Sequence, residues 1–78
     1  MAAPAPRFEG LTGEQVKASV YGYAGDLRDD KISPGEMAGI VSEAAEKLDD
    51  AQKASLESLL RIKVDDEVVD EVVAPLRK

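Results

Sequence analysis

The sequence predicts an all-α fold, a compact bundle or an orthogonal array of about four short helices. Three observations predict it. Helix-start signatures recur along the chain, and apolar residues recur at helical spacing between them. Aromatics are few, only Phe8, Tyr21 and Tyr23, so the core must be Val, Leu, Ile, Ala and Met, which suits packed helices. The 78 residues allow one domain. A chain this short buries only about 60–65% of its unfolded surface, so its core must be efficient or shared with a partner.

The strongest start signal is Ile32-Ser33-Pro34-Gly35-Glu36-Met37. Ser33 can cap orphan amides, and Glu36 three residues later completes a capping box. Pro34 takes the first helical position, where its missing N–H costs nothing. Ile32 and Met37 stand at the spacing of a hydrophobic staple.

In chain order, residues 1–10 are Ala/Pro-rich at their start and read as a flexible tail, with Phe8 pinning its end to a single helical domain over residues 11–78. Thr12 and Gln15 form a second capping box, stapled by Leu11 and Val16. Val16, Val20, Tyr23, Ala24 and Leu27 make the apolar stripe of that first helix. Gly22 and Gly25 weaken its second half and point to close packing or an early end. The second helix carries Met37, Ile40, Val41, Ala44 and Leu48 on one face. Asp49-Asp50 then interrupts the pattern and caps a third helix, whose expected inner face is Leu56, Leu59 and Leu60, extended by Ile62. Val64, Asp65, Asp66 and Glu67 repeat the start grammar, with Asp65 as cap and Val64 stapling to Val69. Val68, Val69, Val72, Val73 and Leu76 follow in pairs four apart, a helical stripe ending near Pro75 rather than the alternation of a half-buried strand.

Composition excludes several function classes. Net charge is −6, from sixteen acids against ten bases, which disfavours direct binding to nucleic acid or to an anionic membrane and permits a basic protein partner or a cation. There is no Cys and no His, so no disulfide, thiolate site or imidazole base exists. No stretch approaches the apolar length of a membrane span, and Met-Ala-Ala-Pro-Ala-Pro lacks the apolar core of a signal peptide. The expected location is intracellular, cytoplasmic by default. The paired carboxylates at Asp29-Asp30, Asp49-Asp50 and Asp65-Asp66 sit at helix entrances, where capping explains them, and no serine has a base to activate it. The chain is therefore expected to be no enzyme and to need no cofactor.

One segment carries a resemblance. Asp29, Lys31, Ile32, Ser33 and Glu36 fall at the fifth, seventh, eighth, ninth and twelfth positions of a twelve-residue loop over Gly25 to Glu36, which resembles a degenerate EF-hand. The resemblance implies Asp29, Ser33 and Glu36 as side-chain ligands, with Glu36 bidentate and Lys31 giving its carbonyl. The first, third and sixth positions hold Gly25, Leu27 and Asp30 in place of two ligands and the turn glycine. A hard cation wants six to eight oxygens, so no calcium binding at sensor affinities is expected.

The last helix supplies the candidate interface: Val69, Val72, Val73 and Leu76, edged by Asp70 and Glu71. Part of that stripe is expected to remain exposed and to bind a basic protein partner or a second copy, with the acids steering association. The preferred function is a small acidic, non-catalytic interaction or regulatory module: an accessory factor, an inhibitor or an assembly subunit. The alternatives are an EF-hand-like cation-binding module and an acidic decoy that occupies a nucleic-acid site on another protein.

Overall fold

The computed structural model describes residues 7–77. It consists of α1 (Gly13–Arg28), α2 (Pro34–Ala45), α3 (Asp50–Lys63), α4 (Asp66–Val73) and a final 3-10 turn (Ala74–Arg77), with no strand among the described residues. The expected all-α architecture is the observed one.

Each of the first three helices begins with a reciprocal capping box. Thr12 Oγ1 accepts the Gln15 amide and Gln15 Oε1 accepts the Thr12 amide. Ser33 and Glu36 repeat the exchange at α2, and Asp49 and Gln52 at α3, where the Gln52 partner had not been expected. Each box satisfies two donors that a helix or its approach leaves orphaned. The fourth start differs. Asp65 stands at the N-cap of α4 but its side chain makes no capping bond, so only its charge, with Asp66 and Glu67, favours that terminus.

α1 runs to Arg28 and stops by its backbone. Asp30 N–H donates to Leu27 O at 3.1 Å and Lys31 N–H to Asp26 O at 2.8 Å, the paired bonds of a Schellman end. That motif needs a left-handed residue, and Asp30 supplies it at φ 62°. Neither Gly22 nor Gly25 ends the helix, and a Cβ at Gly22 would meet nothing within 4 Å, so close packing does not explain it either.

The core gathers Val16, Val20, Ala24 and Leu27 of α1 with Met37, Ile40, Val41 and Ala44 of α2, as their spacing predicts. Leu56 and Leu60 face it from α3. Two expected members do not: Leu59 is 36% exposed and Ile62 79%. The buried stripe of α3 is one residue wide at positions 56 and 60, and residues 59 and 62 lie round its edge. Phe8 belongs to the core at 2% exposure. A turn closed by the Leu11 amide on Phe8 O at 3.2 Å, with Gly10 at φ 81°, directs the ring inward. The packed body therefore begins before the boundary expected at residue 11. Of the tail expected over residues 1–10, residues 1–6 lie outside the described residues.

The helices form a ring in which α1 packs on α2 and α3, and α4 packs on α2 and α3. α1 and α3 run parallel. Gly13 abuts Gln52, Lys17 Nζ reaches Ser55 Oγ at 3.4 Å, and Gly25 lies beside the end of Lys63. The partner's number rises with the helix's own along the pair, at a near-constant offset.

Candidate functional site in the groove between α1 and α3

Two parallel helices leave a furrow between their outer faces, and here the furrow is apolar. Glu14, Lys17, Ala18 and Tyr21 fall three or four residues apart and share one face of α1. With Leu59 of α3 they line an open groove of about 280 Å³. Ile62 is not among the lining residues; it follows Leu59 by three positions on α3, about one helical turn, and is the most exposed large apolar residue described, while Tyr21 is 36% exposed. The volume lies just under the roughly 300–1,000 Å³ of sites that enclose a small molecule. It suits one or two side chains from a partner surface.

The rim of the groove is cationic at its centre. Lys17 is held by Glu14 at 2.9 Å and by Ser55. The ammonium of Lys63 stands 4.8 Å from the centre of the Tyr21 ring, a cation–π contact, and has no carboxylate within 4.0 Å among the described residues. Glu14 and Lys17 offset one another within the lining, and Lys63, held over the Tyr21 ring at its edge, adds one positive charge.

On the opposite flank, α3 is tied to α4 and the final turn by a four-residue network. Glu57 accepts from Arg61 at 3.1 Å and Arg77 at 3.2 Å, and both arginines reach towards Asp70. The hydrogen bond from the Arg77 guanidinium holds the Glu57 carboxyl below its ordinary value; burial opposes it, and the hydrogen bond from Arg61 adds to the lowering. Glu57 in turn raises Arg77. A second depression, of about 400 Å³, lies beside Phe8, Ser19, Gly22 and Asp26. Its Arg7 is already engaged with Glu43 and with the Tyr23 ring, so it offers less than the groove.

The residues singled out from sequence fall elsewhere. Val69, Val72, Val73 and Leu76 are buried in the chain's own core, because α2, α3 and the final turn cover that stripe. The apolar face expected to be exposed on α4 is therefore not free, and only Asp70 and Glu71 of the set are exposed. In the EF-hand-like segment, residues 25–28 are helical, Asp29 is the C-cap of α1, and Ser33 and Glu36 bond each other's amides. Among the described residues no group of three or more Asp or Glu is placed to hold a metal ion. No buried side chain is polar or charged there, and no helix is long and apolar enough to cross a membrane.

Sequence reading missed the groove because its apolar members read as core. One signal was present: Leu56 and Leu60 already form a complete i, i+4 pair, so Leu59 and Ile62 were surplus to a single stripe. Compared with known proteins, the sequence matches no family model, no curated protein and no solved structure.

Proposed function

We propose that the chain is a small, non-catalytic helical interaction module that docks a protein partner on the groove between α1 and α3. Ile62 carries the reading. At 79% exposure it leaves most of an isoleucine in water, one helical turn on from Leu59, while the other large aliphatic side chains among the described residues are buried at least in part. Covering such a side chain is worth about 1.5–3 kcal/mol, which a partner gains on contact. Leu59 and Ile62, three residues apart on α3, place exposed apolar side chains on one side of that helix, and exposed apolar surface that clusters rather than scatters marks interfaces. The absence of Cys and His removes the common nucleophile and base, which supports a binding role over catalysis.

The test compares the whole chain and its Ile62→Asp variant as baits for cross-linking in the source cells. Both should melt at the same temperature, since the side chain is exposed. The native chain should retain a protein that the variant loses. Identical protein sets from the two baits would overturn the reading.

A further inference from the structure

The groove's chemistry narrows its occupant. We infer that it takes an amphipathic helix whose apolar stripe is flanked by acidic residues. This rests on the groove being the docking face, and it adds the charge sign of the partner. The chain carries −6 overall, so a partner chosen by net charge would be basic. At the groove the lining charges cancel, Glu14 against Lys17, and Lys63 at its edge leaves a local excess of one positive charge. Lys63 overhangs Tyr21 without a carboxylate partner among the described residues, and Lys17 has its only acid in Glu14. The exposed acids of α4, Asp66, Glu67, Asp70 and Glu71, lie on a helix that packs against α2 and α3, outside the α1–α3 contact.

Desolvation makes this local sign matter. A partner helix seated on Leu59 and Ile62 excludes water beside Lys63, and an ammonium losing water needs a counter-charge. A glutamate beside the stripe provides one. A lysine there would place two ammonium groups side by side at the edge of an apolar contact, a juxtaposition that discriminates between partners. Tyr21 fixes the position of Lys63 through the ring contact, so less side-chain freedom is lost on pairing.

The probe is a helical peptide with a Leu/Ile stripe flanked by glutamates, compared with the same peptide carrying lysines instead. Each is titrated into the isotopically labelled full chain. The Glu-flanked peptide should shift the amides of Ala18, Tyr21, Leu59, Ile62 and Lys63 and bind about tenfold tighter than the Lys-flanked one at low salt. The difference should shrink as the Debye length falls below about 10 Å. Lys63→Glu should reverse the preference, and Ile62→Asp should abolish groove binding of both peptides. Equal or preferred binding of the Lys-flanked peptide in the groove overturns the inference while leaving the docking face intact. A dimer in sedimentation that disappears with Ile62→Asp also overturns it, because the occupant is then a second copy. If neither peptide moves the groove amides, the inference fails. The cross-linking comparison then decides separately whether the docking face stands.

Discussion

Gly13, the first residue of α1, lies so close to the side-chain amide of Gln52 that a Cβ there would overlap it. That amide is not idle: Gln52 Oε1 accepts the Asp49 N–H at 3.1 Å as half of the α3 capping box. The start of one helix thus constrains the cap of its parallel neighbour. Gly13→Ala should displace the flexible amide, break the box and cost about 0.5–1.5 kcal/mol, the size of a single hydrogen bond. With Gln52→Ala already present, the same change should cost nothing. Denaturation of both single variants and the double variant gives the coupling, and strictly additive effects would show that the two caps are independent.

The capped and uncapped starts should respond differently. Ser33 accepts the Glu36 amide at 3.1 Å, so Ser33→Ala should cost about 1 kcal/mol. Asp65 makes no such bond, so Asp65→Ala should lose only its interaction with the helix dipole, about 0.3–1 kcal/mol, and that loss should fade in high salt. Salt-independent costs of the same size at both sites would contradict the difference between the two caps.

Phe8 and Val72 test where the core ends. Phe8→Ala should cost about 3 kcal/mol, a large part of the stability of a domain this size, because the ring is almost wholly enclosed. Val72→Asp should unfold the chain, since its side chain is fully buried and a carboxylate there would have no partner. Circular dichroism read through a thermal melt distinguishes both from Ile62→Asp, which should melt like the native protein.

Much of this architecture was legible in the sequence, and the reason is range. A cap is decided within four residues, so Thr12, Ser33 and Asp49 announce themselves without knowledge of the fold. Helical stripes are likewise local, and Met37, Ile40, Val41 and Ala44 went where their spacing sent them. What could not be read was cover. The valines of α4 and Leu59 look alike as sequence. The first are enclosed because α2 and α3 converge on them, and the second is left out because α1 lies parallel and presents Ala18 and Tyr21 rather than a closing face. Phe8 could be read as a pin for the end of the tail, but its near-complete enclosure depends on helices distant in sequence that close over the ring. The candidate site is thus the part of the molecule that depends most on how helices are arranged in space.

Acid should weaken the α3–α4 junction. Glu57 is held below its ordinary value of 4.5 in the folded chain, chiefly by Arg77. A depressed carboxylate contributes stability that is present above the unfolded value and is lost as pH falls through the folded one. Glu57→Gln should therefore lower stability near neutrality and flatten its decline below 4.5. Because the network is largely at the surface, salt should reduce the difference. A Glu57→Gln chain whose stability falls with pH as steeply as the native one would remove the network from the account.

The parallel pairing of α1 with α3 also bears on the order in which the molecule assembles. The bond from Lys17 to Ser55 joins residues 38 apart, with the whole of α2 between them, whereas α3 and α4 meet across a bend of two residues, Val64 and Asp65. Each doubling of an intervening loop adds about 0.6 kcal/mol to the entropy of bringing its ends together. The α3–α4 junction can form as a local event; the groove exists only after α1 has been brought back alongside α3. It is a surface of the finished molecule, one that a partly folded chain does not yet possess.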